Sequence, residues 1–512
     1  MSFSEFTSED RALISKESAL LMEAARKRCR NSNELDVVRK AFEFANEAHN
    51  NVRRRSGDPY VIHSIEVALI VVNDIGLGYK SIAAALLHDV VEDTDYTPED
   101  IRSLFGDKIA SLVEGLTKIK TVLDNGEIGV DDDNESLEAE SFKKILLTMG
   151  DDVRVVLIKL ADRLHNCRTL EFLPERKRNR ILSDTMFIFI PLAHRLGLYG
   201  IKSEMENIWM KYRKPEEYND IADRVKRNRE LFESEIELFT ARLRETLDKT
   251  GVEYRLSRRI KTPYSIWRKM EKKGVPFEQI YDLYAVRIIF SLPEGATPEE
   301  ERRKAYEIYL AVTEIYREHP SRTRDWIRHP KSNGYEALHC TLMSDAGIWV
   351  EVQIRSKRMD DMAEKGIAAH WSYKRNGFIS ESGSIMDRWL AEVQGILSSE
   401  DLDALELLGI LHDKMVCPEI TVFTPKGEQR NIEAGSTALD FAFHIHSDIG
   451  FKAIAAKVNL KLVPLSQTLS SGDRVEIITA ASATPKLEWI DFVHTRHARA
   501  RLNAYFKEHE QI

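Results

Sequence analysis

Six acidic and imidazole side chains in the first third of the chain are spaced for metal-assisted hydrolysis. In "LLHDVVEDT" (86–94) an apolar run is interrupted by His88 and Asp89, and Glu92 and Asp93 follow one turn later. If 81–93 is one helix, His88 and Glu92 share a face, as do Asp89 and Asp93. Burying such a face without partners is expensive, so it must line a polar cleft or hold a cation. In "KLADRLHN", Asp162 and Asn166 share a face of a second helix, and "RRRSGDPYVIH" places His63 after a basic turn marked by Gly and Pro. His63, His88, Asp89 and Asp162 together make a mixed nitrogen and oxygen donor set suited to Mn²⁺, Fe²⁺ or Zn²⁺. Such an ion lowers the pKa of bound water and polarises a phosphoryl oxygen. Glu92 and Asp93 are placed to orient or deprotonate that water. A lone His-Asp pair on a helix is more often a surface feature; the full set within one helical segment reverses those odds.

A second constellation reads as a nucleotide site on a sheet. In "IWVEVQIR", Ile348, Val350, Val352 and Ile354 fall on one face of a strand, and Trp349, Glu351, Gln353 and Arg355 on the other. A carboxylate and a guanidinium on an open face suit a nucleotide with Mg²⁺. Asp282 opens another strand, which carries Arg287. Between the two lie "RRIKTPYSIWRKM" and "RTRDWIRHPKSNGYEALH", where Arg259, Lys261 and Lys331 can clamp phosphates. The turn "SNGY" can present Tyr335 for stacking on a base.

The elements that must position these groups follow from hydrophobic period. Residues 1–200 carry apolar residues at three- and four-residue spacing and read as helical; 201–250 read as a charged helical linker. Residues 251–375 mix short β-rich runs such as "YDLYAVRIIF" with helices, an α+β or α/β pattern. Helix returns over 376–416, a small β-grasp-like module fits 417–480, and 481–512 begins a basic amphipathic helix. The acidic stretch 124–140 reads as a solvated loop. With 512 residues, a soft prior of about three domains applies. The net charge of −9 gives no global nucleic-acid signature. The four cysteines are far apart, which argues against disulfides and Cys-type zinc and suits a reducing, cytoplasmic setting. The N-terminus lacks the pattern of a signal peptide, and no apolar run is long enough for a membrane span. Neither DNA nor membrane is an expected partner.

"RSGDPYVIH", "LLHDVVEDT" and "IKLADRLHNCRTL" resemble first the HD phosphohydrolase superfamily and then, more narrowly, the hydrolase domain of the RelA/SpoT family. "YSIWRKM", "YDLYAVRII", "DWIRHPKSNGYEALH", "VEVQIR" and "AEKGIAAHWSYK" resemble the synthetase domain of the same family. The resemblance covers nearly the whole chain. It implies a multidomain α and α+β protein: an all-helical HD-type hydrolase domain, a mixed-sheet nucleotidyltransferase-like synthetase domain and a TGS domain. It implies removal of the 3′-pyrophosphate from ppGpp and pppGpp with Mn²⁺, and transfer of pyrophosphate from ATP to the 3′-hydroxyl of GDP or GTP with Mg²⁺, releasing AMP. His63, His88, Asp89 and Asp162 would be the hydrolase metal ligands, with Glu92 and Asp93 working the water. Arg54 and Arg55 would contact the nucleotide, and Asn166 and Thr169 its base or sugar. Asp282 and Glu351 would handle Mg²⁺, with Glu351 activating the 3′-hydroxyl. Arg259, Lys261 and Arg287 would face ATP, and Lys331, Asn333, Tyr335, His339 and Gln353 the acceptor, with Tyr335 stacked on guanine. At the family's selectivity motif, basic R-x-K-D in bifunctional members, this chain reads "RTRD" (Arg322, Arg324, Asp325), which keeps the charge.

The stretch 417–480 resembles the TGS domain, which contacts the end of deacylated tRNA in ribosome-bound members. Its customary "GHR/GHK" is here Gly450, Phe451, Lys452. Phe451 can stack on a base or fill a small core, and His444 and His446 can be core or contact residues. The final helix matches the start of the family's helical domain, so the expectation is a shortened chain without zinc-finger-like and ACT domains, and weak binding to ribosome and tRNA. The leading expectation is a bifunctional alarmone enzyme of the stringent response with reciprocal coupling between sites. The alternatives are a hydrolase-dominant enzyme with a weak synthetase, and a ribosome- or tRNA-associated regulator whose domains sense ligands.

Overall fold

A computed structural model describes residues 2–125, 152–280, 282–293, 295–328, 330–331, 334–366, 369 and 419–509. The helix expected over 376–416, residues 126–140 of the acidic stretch and Asn333 lie outside the described residues. The chain divides into two compact units, one of Met1–Thr121 with Thr148–Leu390, the other of Val122–Leu147 with Ala391–Ile512.

The first unit opens with helices, starting at Ser8–Arg26, where Thr7 and Asp10 form a reciprocal capping box. The helix Val153–Arg168 is buried along almost its whole length, including the charged Lys159, Asp162 and Arg163. A helix that apolar on all sides belongs in a core, and its few polar groups must therefore find partners there. It lies close against the helix Asp107–Asn125, because a Cβ on Gly115 would come within 2.8 Å of Val155.

The sequence reading of one helix over 81–93 is corrected. The helix Tyr79–Leu87 stops, His88 and Asp89 form a turn, and a short helix Val90–Asp93 follows. The His88 ring Nδ1 bonds to the Ala85 carbonyl at 2.8 Å, and the Glu92 and Asp93 amides both bond back to the Asp89 carbonyl. His88 and Asp89 keep right-handed helical backbone angles through this turn, and their side chains meet, His88 Nε2 lying 3.2 Å from Asp89 Oδ2.

After the short pair β1 (Ser2–Phe3) and β2 (Val52–Arg53), the second part of this unit supplies β3 (Tyr254–Ile260), β4 (Tyr284–Phe290), β5 (Arg324–Asp325), β6 (Leu338–Met343) and β7 (Trp349–Ser356). They form a five-stranded sheet in the order β3-β4-β7-β6-β5. Strands β4 and β7 run parallel, and the other pairings are antiparallel. Side chains alternate as the period of two requires. Val286, Ile288, Cys340, Val350, Val352 and Ile354 form a buried core with Phe239 and Leu243 of the helix Pro215–Asp248 and with Ile308 of the helix Pro298–Ile315. The charged helix read as a linker thus contributes its C-terminal half to the core of the sheet. The register pairs Ala285 with Glu351, Arg287 with Gln353, and His339 with Gln353, so these groups share the opposite face.

Helix Lys357–Lys365 ends at Gly366, whose φ is +54°. A Cβ there would stand 1.9 Å from the Leu196 carbonyl oxygen, so the sheet domain meets the helical domain backbone to backbone. Gly366→Ala is expected to destabilise this unit by at least about 2 kcal/mol through strain and overlap. Thermal denaturation would show it as a lowered Tm.

The second unit contains the hairpin β8 (Glu419–Phe423) and β9 (Gln429–Glu433), and a sheet ordered β11-β10-β12 from β10 (Ala453–Val458), β11 (Lys461–Val463) and β12 (Val475–Thr479). Buried Asp440 accepts from Thr437 at the start of the helix Ala438–Ile445 and from the His494 and Thr495 amides that precede the helix Arg496–Glu508. The terminal segment is not one helix, because Val493 takes an extended conformation after the helix Trp489–Phe492. No described helix is long and apolar enough to cross a membrane.

Candidate active sites

The fold brings the four donors read from sequence to one buried point. His63 Nε2 lies 3.2 Å from Asp162 Oδ1 and 3.6 Å from Asp89 Oδ2; His88 Nε2 lies 3.2 Å from Asp89 Oδ2 and 3.8 Å from Asp162 Oδ1. Ligand atoms of His63, His88 and Asp89 all lie within 4.8 Å of one another. Each imidazole is held by its other nitrogen, His88 Nδ1 by the Ala85 carbonyl and His63 Nδ1 by His165 Nδ1 at 2.8 Å. That anchoring fixes the ring and aims Nε2 inward, the arrangement metal-bound histidines adopt. The buried His88 Nε2 makes no hydrogen bond. Burial opposes charging of His88, but Asp89 and Asp162 outweigh it and lift its pKa to about 10. Burial and the Arg54 guanidinium pull His63 down to about 4. Both carboxylates are ionised despite burial, Asp89 through His88 and Asp162 through Lys159. Two carboxylates aimed at an unbonded imidazole nitrogen fit a divalent metal ion.

Around this centre stand groups the motifs did not single out. The single proton of the Tyr60 hydroxyl is shared between Asp89 Oδ2 at 2.7 Å and Asp93 Oδ2 at 2.9 Å. Lys120 pairs with Glu92 and lies 3.5 Å from Asp89 and 3.9 Å from Asp93. Burial and the Asp89 charge raise the Glu92 pKa, against the pull of Lys120. Lys159 holds Asp162 Oδ2 at 2.7 Å, and Asn166 donates to Asp162 Oδ1 at 2.7 Å. Tyr60 and His165 had a local signal, each lying three residues from a ligand on the same helical stretch. Lys120 had none, since it arrives from another helix. Arg54 reaches Asn166 Oδ1 at 2.8 Å and His165 at 3.3 Å, beside the metal centre. Arg55 is exposed, and the Thr169 hydroxyl bonds to the His165 carbonyl of its own helix. Tyr60→Phe keeps the ring but frees both carboxylates. It is expected to weaken divalent-metal binding at this centre by about tenfold, read by metal titration.

On the open face of the sheet, Glu351 Oε1 lies 2.8 Å from His339 Nδ1, and His339 Nε2 lies 2.8 Å from the Tyr335 hydroxyl. Arg355 donates to that hydroxyl at 2.5 Å and to Gln353 Oε1 at 2.9 Å. Tyr335 is buried, with Lys331 Nζ 4.8 Å and the Arg355 guanidinium 5.0 Å from its ring centre, and the Tyr199 ring meets it edge-on at 5.8 Å. Asp282 is gripped by Lys261 at 2.6 Å and by Lys269, a cation the motifs did not flag. Burial works against its charge, but these lysines hold its carboxyl well below the usual range. Burial works against the charge of Glu351, but His339 and Lys261 hold its pKa below the usual value, with a smaller opposing effect from Asp282. Two carboxylates in one electrostatic neighbourhood suit a hard cation. Arg259 and Arg287 line a cleft of about 400 Å³ with Ser257, Thr262, Ser203 and Glu364. Arg287 pairs with Glu364 at 2.7 Å.

In the selectivity motif, Asp325 serves the local turn by accepting from the Ile327 and Arg328 amides. Arg324 is exposed and bonds to the Ser321 and Thr323 carbonyls, and Arg322 is half-buried. In the second unit, the Phe451 ring packs between Phe443 at 5.3 Å and Tyr505 at 5.2 Å, and His444 and His446 are exposed.

The architecture is an all-helical HD-type domain, a mixed-sheet domain and a TGS domain in one chain. Family models match in that order: HD domain at residues 41–199, the region found in RelA / SpoT proteins at 258–377, and TGS domain at 420–479. The chain is 40% identical over 478 residues to the guanosine-3′,5′-bis(diphosphate) 3′-pyrophosphohydrolase of Aquifex aeolicus, covering 93% of this chain and 65% of that protein. It is 37% identical to the GTP pyrophosphokinase of Myxococcus xanthus, covering 93% and 61% of the two chains. It is 38% identical to the bifunctional (p)ppGpp synthase/hydrolase SpoT of Escherichia coli, covering 93% and 65%. The chain spans less than two thirds of the length of these relatives. Over nearly its whole length the chain is similar to these proteins, and it carries the region found in RelA / SpoT proteins.

Proposed function

We propose that this chain is a bifunctional alarmone enzyme that both makes and destroys ppGpp and pppGpp. The observation that carries the reading is the presence, in one compact unit, of two differently built sites: a buried imidazole and carboxylate centre, and an open sheet face bearing carboxylates among cations.

In the hydrolase site, His63, His88, Asp89 and Asp162 would hold Mn²⁺. When bound, that ion supplies a more acidic water and a polarised phosphoryl oxygen. Tyr60 holds Asp89 and Asp93 in place, and Glu92, its carboxyl raised by burial, is suited to move a proton at the water or at the leaving 3′-oxygen. Arg54 and Asn166 sit where a guanosine nucleotide would enter. The bond broken joins the 3′-oxygen to its phosphorus, giving GDP or GTP and pyrophosphate. Chelation by EDTA is expected to reduce cleavage to background, and added Mn²⁺ to restore it better than Mg²⁺; equal activity before and after chelation would contradict the metal assignment.

In the synthetase site, Asp282 and Glu351 would hold Mg²⁺, whose chemistry is to neutralise charge on the transferring phosphates. Glu351 takes the proton of the acceptor 3′-hydroxyl. That oxygen bonds to the β-phosphorus of ATP as the bond to the α-phosphate oxygen breaks, and AMP leaves. Arg259 and Arg287 grip the ATP phosphates from the cleft they line, and Lys331, Gln353 and the Tyr335 ring form the acceptor pocket. A hydrolase-dominant balance is favoured by one feature: the Tyr335 ring is already in contact with Tyr199 and flanked by two cations. Cytoplasmic placement and contact with ribosome and deacylated tRNA through the TGS domain complete the proposal.

A further inference from the structure

Arg355, His339 and Glu351 of the sheet and Tyr335 in the loop before β6 form one continuous set of contacts: Arg355 to the Tyr335 hydroxyl at 2.5 Å, that hydroxyl to His339 Nε2 at 2.8 Å, and His339 Nδ1 to Glu351 at 2.8 Å. One proton arrangement satisfies every link with a neutral imidazole. The guanidinium can only donate, so the tyrosine oxygen accepts from it and its O–H points to Nε2. Nδ1 then carries the ring proton and donates it to the carboxylate. Both ends are anchored. Arg355 is buried and also bonds to Gln353, while Glu351 is fixed in β7 by its register with Ala285 and Thr341. His339 lies opposite Gln353 on β6, so the sheet places it between the two ends.

We infer that the Tyr335 hydroxyl is a positioning group for Glu351, acting through His339, so that the residue whose ring receives the acceptor base also sets the direction of the carboxylate that takes the acceptor's proton. This deepens the synthetase reading above and rests on it. Tyr335 follows the turn at Gly334, the loop end of the acceptor pocket, whereas Glu351 belongs to the rigid centre of the sheet. A shift of Tyr335 on base binding cannot leave His339 unmoved, because a single oxygen bonds both the guanidinium and the imidazole. The Glu351 oxygen is then aimed when the acceptor is seated. Both ring nitrogens of His339 are committed to this chain, so its role is alignment of Glu351 and not contact with the guanine base.

The test separates ring from hydroxyl. Tyr335→Phe retains the stacking surface and removes the link. The expected result is GDP affinity by calorimetry within about twofold of wild type, with kcat for pyrophosphoryl transfer down by about tenfold. His339→Ala is expected to lose at least as much. His339→Asn, whose amide nitrogen can occupy the place of Nδ1, should recover part of that loss, which a merely structural role would not produce. Tm values measured on the same samples identify any variant that has not folded, and His339→Asn against His339→Ala then decides the matter. A Phe variant with wild-type kcat would overturn the inference. So would one whose GDP affinity falls while kcat holds, because the hydroxyl would then be a binding contact. If the wild-type chain itself transfers no pyrophosphate, the synthetase reading fails and this inference falls with it.

Discussion

Asp162→Ala is expected to abolish alarmone cleavage, by at least about a thousandfold, while leaving pyrophosphoryl transfer intact. Asp162 faces both imidazoles, at 3.2 Å from His63 and 3.8 Å from His88. It also holds Lys159 and Asn166. On the proposed assignment its removal takes away a metal ligand, and it leaves a buried lysine without its anion, so metal affinity and local order should fall together. Asp162→Asn keeps the shape and part of the hydrogen bonding but also takes the anion from Lys159, so Mn²⁺ affinity should fall and Tm should fall less than in Asp162→Ala. Titration with Mn²⁺ alongside the rate assay checks both statements. Full hydrolysis by Asp162→Ala would remove this residue from the site.

Glu351→Gln is the second large effect. The amide is nearly isosteric but cannot take a proton, and it can no longer hold the His339 Nδ1–H as a charged acceptor. Pyrophosphoryl transfer should fall by about a thousandfold or more, with hydrolysis unchanged. Because Glu351 sits on a strand whose other face carries Val350 and Val352 in the core, the substitution leaves packing alone. Initial rates of AMP release from ATP and GDP report the loss. A variant retaining more than a tenth of wild-type kcat would show that Glu351 neither activates the hydroxyl nor holds a required cation.

The donor set that the fold gathers was legible in the sequence by residue type and spacing. His63, His88, Asp89 and Asp162 announce themselves as nitrogen and oxygen donors in apolar helices, and the alternation in "IWVEVQIR" assigns Glu351 to the open face without a structure. What the pattern could not supply was local geometry. A continuous helix over 81–93 is the natural reading of its period, but the helix stops at Leu87, where the His88 side chain bonds to the Ala85 carbonyl. Long-range partners were equally hidden. Lys120 and Lys269 are ordinary surface-type residues in their own segments, and only folding brings them to Glu92 and Asp282. Tyr335 was legible as a ring for stacking; that its hydroxyl is tied to Arg355 and His339 depends on strand register. The boundary of the sheet domain was blurred for a similar reason. The Pro215–Asp248 helix is charged enough to read as a linker, although Phe239 and Leu243 lie in the core of the sheet domain.

The central claim is that one chain carries both reactions. Nucleotide chromatography of the wild-type protein tests it most directly, with ATP and GDP supplied in Mg²⁺ in one reaction and purified ppGpp in Mn²⁺ in another. The account predicts ppGpp and AMP in equal amounts from the first, and GDP with pyrophosphate from the second. Absence of either conversion in a folded, metal-loaded sample would contradict it.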